Sequence, residues 1–275
     1  MSKRNGASEK AITKWVMDWD DLAIGKDYCP FLYVRDVPSQ GDSYIIKGLN
    51  SGRHHHFLSE LEYFHFLLLE FDQSVTDIRE QYALIPRSDT AQIADSLGFR
   101  HPAFPQSKLH IVMTTDFLVT KKVGDITWFE AISVKPSSAM DSTSRKYKRT
   151  MEKQNIESEF WFSKNIPWHI STENDISLTR ARNLRNLWVS MAAEELNYLN
   201  LLVADFIQVF QSEWSHNIKL IELLRIIGVK IGLSDYESKM AFGKAVWLHL
   251  LDVDLDTYVI KDYFPVSFNQ GEIHD

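Results

Sequence analysis

Two apolar, strand-like runs limit what this chain can fold into. One is Thr114-Thr-Asp-Phe-Leu-Val119, and the other is Trp128-Phe-Glu-Ala-Ile-Ser-Val-Lys-Pro136. The first holds one carboxylate, Asp116, and the second, which also carries Glu130, ends on Lys135 nineteen residues further on. Apolar strands of this kind need a sheet with at least one face covered, which points to an α/β or α+β core. Alternation puts residues 131, 133 and 135 on one face of the second strand and 130, 132 and 134 on the other. Ser133 and Lys135 are therefore expected to point together, with Glu130 turned away.

The chain has 275 residues, enough for one large or two ordinary domains, and 44% of them are hydrophobic, enough to bury a core. No run of about 18 apolar residues is present, so no membrane span is expected. The start, Met1-Ser-Lys-Arg-Asn-Gly-Ala7, has no apolar stretch behind it and does not read as a signal peptide. A single cysteine, Cys29, excludes an internal disulfide framework and fits a reducing cytoplasm. A net charge of −7 and a pI near 5.8 count against a protein that grips DNA tightly by itself. A local basic patch or a partner's grip is still compatible with DNA chemistry.

Turn signals lie at 36–42 and 50–52. A helix is expected from Ser59 to about Glu70; it is apolar nearly all round and should be buried. Ser59-x-x-Glu62 has the form of a capping box. Strands are expected at Ser74–Tyr82, His110–Thr120 and Ile126–Val134. A helix at Ser142–Asn165 and a short strand at Ile166–Ser171 follow. From about residue 172 the texture becomes helical: Ser177–Val189, Glu195–Glu213, Ile218–Val229 and Ser234–Leu251. The tail, Asp256–Phe268, alternates enough for a hairpin. Helices closed by a hairpin suggest a winged-helix domain. The expected division is a catalytic α/β domain at 1–172 and a helical domain at 173–275.

Glu62 on a helix, Asp116 on one strand and Ser133-x-Lys135 on the next follow the order that metal-dependent nucleases use. Phosphodiester hydrolysis needs an activated water, relief of charge in the transition state and help for the leaving oxygen. Mg²⁺ held by carboxylates can supply all three, with a lysine orienting the water or neutralising charge. Ser133 offers only a hydroxyl at the position of an acid, so the carbonyl of Val134, or a water held by Ser133, would complete the ligand set. Spacing alone makes this motif weak, and Glu62 can equally serve as the third residue of the capping box.

Several segments carry a closer resemblance. They are Gly25-Lys-Asp-Tyr28, Arg35-Asp-Val-Pro-Ser39, Ser51–Glu62, Asp77-Ile-Arg-Glu-Gln81, Met113–Val119, Ala131–Pro136, Phe160-Trp161 and Ile166-Pro-Trp168. Together they resemble TnsA, the endonuclease subunit of the heteromeric transposases of Tn-seven-like transposons, over roughly the first 170 residues. The resemblance implies a restriction-endonuclease-like, PD-(D/E)xK catalytic domain with Glu62, Asp116 and Lys135 as its triad. It implies Mg²⁺, with Mn²⁺ able to substitute, at Glu62 and Asp116, while Ser133 departs from the amide or acid that the family often holds two residues before the lysine. It further implies cutting of the 5′ strands of transposon-end DNA beside a DDE transposase, TnsB. An AAA+ regulator, TnsC, would be contacted through the C-terminal region. The alternative is a weakened nuclease that serves mainly as an adaptor between transposase and regulator, with Ser133 as the mark of weakening.

Two further motifs compete for attention. His54-His-His56 suggests zinc, but adjacent histidines on a strand face opposite ways and no cysteine joins them; they are expected to line a DNA-facing rim or pack locally. Asp252-Val-Asp-Leu-Asp256 lacks the glycine and final glutamate of a calcium loop and reads as a solvated turn. The densest basic cluster, Arg145, Lys146, Lys148, Arg149 and Lys153, starts ten residues after Lys135 and is a candidate DNA contact.

Overall fold

The computed structural model describes residues 8–37, 41–105 and 107–269. The start of the chain that was read for a leader, part of the turn at 36–42, and Pro38 and Ser39 of the resembling segment lie outside them. The chain divides into two compact units, Met1–Ile176 and Ser177–Asp275.

The first unit opens with α1 (Glu9–Met17) and a two-stranded antiparallel ribbon, β1 (Tyr44–Lys47) with β2 (His54–Phe57). Next comes α2 (Glu60–Phe71), started by Ser59, whose hydroxyl accepts from the Glu62 N–H. The core sheet has the order β3 (Val75–Ala83), β4 (Thr114–Val123), β5 (Ile126–Val134) and β6 (Trp168–Ser171). Its first three strands run antiparallel; β6 joins parallel to β5 after a crossover through α4 (Tyr147–Ser163). The arm between β3 and β4 carries α3 (Arg87–Ser96). The strand expected from His110 starts only at Thr114, because His110 makes one isolated bridge to Ala103.

Alternation along β4 sorts its side chains to two layers. Phe117 meets Phe57 and His65 on the α2 side, with ring centroids 6.1 and 5.6 Å away. Leu118 joins Ala131, Ile156, Phe160 and Trp161 on the α4 side. The sheet is thus covered on both faces by apolar helix surfaces, and α2 is buried over most of its circumference as its composition predicts.

The second unit contains α5 (Leu178–Ala192), α6 (Val203–Glu213), α7 (Leu220–Ile231) and α8 (Asp235–Trp247). The single helix expected over Glu195–Glu213 is broken: Glu194–Leu201 is a 3₁₀ turn with Leu196 out of helical conformation. Asn197 and Asn200 fall in that segment, and asparagine disfavours helix interiors because it bonds to nearby backbone. Helix α8 packs closely on α5 at Gly243, where an added Cβ would lie 2.0 Å from Ser190 Oγ.

The expected terminal hairpin does not form. Among the described residues the tail has one isolated bridge, Val253 to Phe268. Its backbone groups find other partners: Asn183 donates to the carbonyls of Leu255 and Tyr258 and accepts from the Ile260 N–H. The carbonyls of Phe264 and Asp262 accept from the first two N–H groups of α7. A winged-helix reading therefore keeps its helices and loses its wing. The acidic run is a turn in which Asp254 caps two backbone amides and Asp256 pairs with Arg180.

Candidate active site

The sheet forks where the two charges sit. β4 stays paired with β3 as far as Thr114, but its ladder with β5 ends at Phe117 opposite Ile132. Beyond that point β5 follows β6, with Val134 opposite Ser171 and the Lys135 N–H donating to the Ser171 carbonyl. Asp116 lies in the fork. Its carboxylate accepts from the Val134 N–H at 2.7 Å, replacing a ladder bond that the splayed strands no longer make. It also accepts from Lys135 Nζ at 2.6 Å, and the same ammonium donates to the Val134 carbonyl at 2.9 Å. Burial alone would push the Lys135 ammonium down, but Asp116 and Glu157 beside it hold its pKa above the ordinary value.

Glu62 reaches the fork from the first turn of α2. One carboxylate oxygen accepts from Ser59 Oγ at 2.9 Å and the other from the Leu58 N–H at 3.0 Å. This is a displaced capping box: the side chain turns back to the residue before the cap. Glu62 is therefore both a helix cap and a member of the cluster. Gln81 joins it to Asp116, its amide nitrogen lying 3.3 Å from Glu62 and 3.4 Å from Asp116. Burial, then the charge of Asp116, raises the Glu62 pKa to about 7.

Ser133 is 1% exposed, and its hydroxyl lies 3.0 Å from each carboxylate oxygen of Glu157. Its role as an open ligand is thereby displaced, because the hydroxyl holds a second carboxylate. Glu157, on α4, is 2% exposed and also accepts from Thr115 Oγ1 and from Trp168 Nε1, the latter at 3.1 Å. Burial raises its pKa to about 7, with Lys135 opposing and Asp116 reinforcing the shift. The acid missing from position 133 is thus present in space, delivered by a helix. A sequence signal existed: Glu157 stands on the buried stripe of Ile156, Phe160 and Trp161, and it is as anomalous there as Lys135 is on its strand.

The remaining candidates separate. Arg145, Lys146 and Lys148 are exposed at the start of α4. Lys148 precedes Glu157 by nine residues, roughly 14 Å along the helix axis. Arg149 is partly buried and engaged by Glu152 at 2.7 Å and by the Arg100 carbonyl at 2.5 Å, so it is tied into the fold. Two of the three histidines pack locally: His55 is buried against Glu80, and His56 meets the Tyr33 ring edge-on at 4.9 Å, while His54 is exposed.

A family model described as the TnsA-like endonuclease N terminal matches residues 72–173, a span that holds Gln81, Asp116, Ser133, Lys135 and Glu157 and leaves Glu62 just outside. The Transposon Tn7 transposition protein TnsA of Escherichia coli is 42% identical over 198 residues, which make up 72% of this chain and 69% of that protein. The chain belongs to the TnsA family. A TnsA-like match on a mixed α/β unit fits a restriction-endonuclease-like core.

A divalent cation suits the donors at the fork. Among the described residues no three His, Cys, Asp or Glu side chains cluster tightly enough to hold a metal alone. Mg²⁺ does not need such a cage, since it commonly binds one or two carboxylates and keeps several waters. Glu62, Asp116 and the Val134 carbonyl meet that pattern, and the Lys135 ammonium already bridges two of the three as a positive group.

Proposed function

We propose that this TnsA-family chain is the endonuclease of a transposase assembly, cutting the 5′ strands at transposon ends by Mg²⁺-dependent phosphodiester hydrolysis. The reading is carried by one observation: Glu62, Asp116 and Lys135, from a helix and two strands, converge on the fork between β4 and β5. Glu62, Asp116 and the Val134 carbonyl would hold the cation; when bound, it would lower the pKa of a water and stabilise charge on the phosphoryl oxygens. Lys135 orients the attacking water and offsets developing negative charge, with its ammonium aimed by Asp116 and the Val134 carbonyl. Glu157, held by Ser133, favours the ammonium form of Lys135 once it ionises, as pH rises above its pKa of about 7.

The partners proposed are a TnsB-like DDE transposase and, through the C-terminal unit, a TnsC-like AAA+ regulator. A transposase partner answers the chain's net charge of −7, because an acidic subunit needs a partner's grip on DNA. The exposed Arg145, Lys146 and Lys148 supply a local contact. Reversing charge at Lys146 and Lys148 together is expected to weaken transposon-end cleavage by the assembled complex about tenfold or more at low salt, with the gap to wild type narrowing as salt rises. End cleavage at the wild-type rate at low salt, where screening is weakest, would remove these residues from the DNA path.

Metal titration of the isolated protein tests the nuclease reading against the adaptor reading. Glu62 and Glu157 have pKa values raised to about 7, so at pH 6 both are mostly protonated. A cation on the Glu62 side must displace that proton, so binding strengthens as pH rises towards 7 and levels off above it. Calorimetry with Mn²⁺ at pH 6, in two buffers of different ionisation heat, is expected to show about one proton released per cation. Absence of Mn²⁺ binding from pH 6 to 8 favours the adaptor.

A further inference from the structure

One polar side chain at the fork has no part in the mechanism above. Gln81 is 1% exposed and stands on β3 between Glu80, which pairs with Phe117, and Tyr82, which pairs with Thr115. Its φ is +48°, a left-handed conformation that strains a non-glycine residue. Such strain persists only where the surroundings impose it. Here the turned backbone directs the Gln81 carbonyl to the Phe31 N–H at 3.1 Å, and the side chain lies between Glu62 and Asp116.

The amide end has three neighbours. Nε2 donates to Glu62 and Asp116 over the long distances of 3.3 and 3.4 Å, and Oε1 accepts from Thr114 Oγ1 at 3.2 Å. Two carboxylates that face each other need a positive or donor group between them, and the amide nitrogen is that group. A cation held by the same carboxylates cannot share the space with an N–H pointing at it. A half-turn of the amide removes the conflict by exchanging nitrogen for oxygen. The exchange costs nothing at Thr114, because a hydroxyl that donates to Oε1 can accept from Nε2 instead.

We propose that Gln81 is the positioning residue of this cation site, its amide turning over from a donor to the two carboxylates into an acceptor facing the bound cation. The proposal rests on the reading of Glu62 and Asp116 as cation ligands. It gives the strained backbone a reason: a regular strand would not aim a long amide at that point. It also gives the site an amide oxygen in addition to its carboxylates, although Ser133 provides none.

The test uses the full chain and two readouts that do not depend on cleavage. Gln81→Met keeps the side-chain length and removes the amide; Gln81→Gly also removes it, and glycine adopts the positive φ without strain. Both variants are expected to bind Mn²⁺ 10- to 100-fold more weakly by calorimetry, the usual cost of losing a group that orients metal ligands. The side-chain NH₂ resonance of Gln81, assigned by its loss in Gln81→Met, is expected to move on Mg²⁺ titration with the midpoint of the binding isotherm. Affinity within twofold of wild type in the folded glycine variant overturns the proposal. So does tighter binding, which would make Gln81 only a competitor of the cation, or an NH₂ resonance that stays still at saturating Mg²⁺. If the wild-type chain binds neither cation, the nuclease reading and this proposal fall together; if it binds and Asp116→Ala does not, unchanged Gln81 variants sink this proposal alone.

Discussion

Replacing Asp116 by alanine is expected to lower 5′-strand nicking of transposon ends by at least about 10³-fold in the assembled complex, at saturating Mg²⁺. The size of the loss follows from how many functions meet in one carboxylate. Asp116 takes the Val134 N–H at 2.7 Å, fixing the position of the Val134 carbonyl. It takes Lys135 Nζ at 2.6 Å, fixing the ammonium. Through Gln81 it is held opposite Glu62. Alanine removes a proposed cation ligand, leaves the Val134 N–H without its acceptor and leaves Lys135 with only the Val134 carbonyl. The unpaired buried N–H costs about 1–3 kcal/mol of stability, a partial destabilisation to set against a near-total loss of nicking. Asp116→Asn separates the two effects. Its amide oxygen can still accept from Val134, so the melting temperature should stay near wild type while nicking falls to the same floor. Strand-specific nicking assays with the partner transposase present decide the matter: 5′ cuts at the wild-type rate in either variant would remove Asp116 from the chemistry.

The sequence pattern was informative where one strand or one helix determines the outcome. The β5 boundaries, the α2 start at Ser59 and the placement of Asp116 and Lys135 on neighbouring strands all follow from alternation, capping and a misplaced charge. What could not be read was the consequence of the fork. Whether Ser133 meets solvent, a cation or another side chain depends on α4, which closes over it from 24 residues downstream. Glu157 carried a signal of its own on an apolar stripe, but its partner could not be named without the crossover geometry. Gln81 lay inside a resembling segment with nothing local to mark its positive φ. The tail failed for a similar reason. Alternation predicts a hairpin, while the backbone groups of 255–264 are satisfied by Asn183 and by the start of α7, which local pattern does not encode.

Glu80→Gln is expected to be strongly destabilising to the first unit, although it lies outside the fork. Glu80 is 1% exposed and accepts both guanidinium nitrogens of Arg53, at 2.8 and 2.6 Å. His55 Nδ1 lies 2.9 Å from it and the His56 N–H donates to it at 3.1 Å. Burial alone would raise its pKa, but His55 and Arg53 outweigh burial and lower it to about 2. A glutamine of the same shape keeps one acceptor and leaves the Arg53 charge unbalanced in the interior. Breaking one partner of a buried pair costs about 3–5 kcal/mol, a large share of the roughly 5–15 kcal/mol that holds a domain together. For a unit of this size that corresponds to a fall of about 6–20 °C in melting temperature. The pH dependence gives an independent check. A depressed carboxylate contributes stability that is complete above its unfolded value near 4.5 and lost as pH falls towards 2. The wild-type chain should therefore lose about 3 kcal/mol between pH 4.5 and 2 from this one residue, and the variant should lack that portion of the acid limb. Because Glu80 precedes Gln81 on β3, loosening it should also blur the aim of the amide at the fork. A melting temperature within about 2 °C of wild type, with the acid limb intact, would mean that water or another base already compensates Arg53, and the buried cluster would lose its claim to anchor the strand.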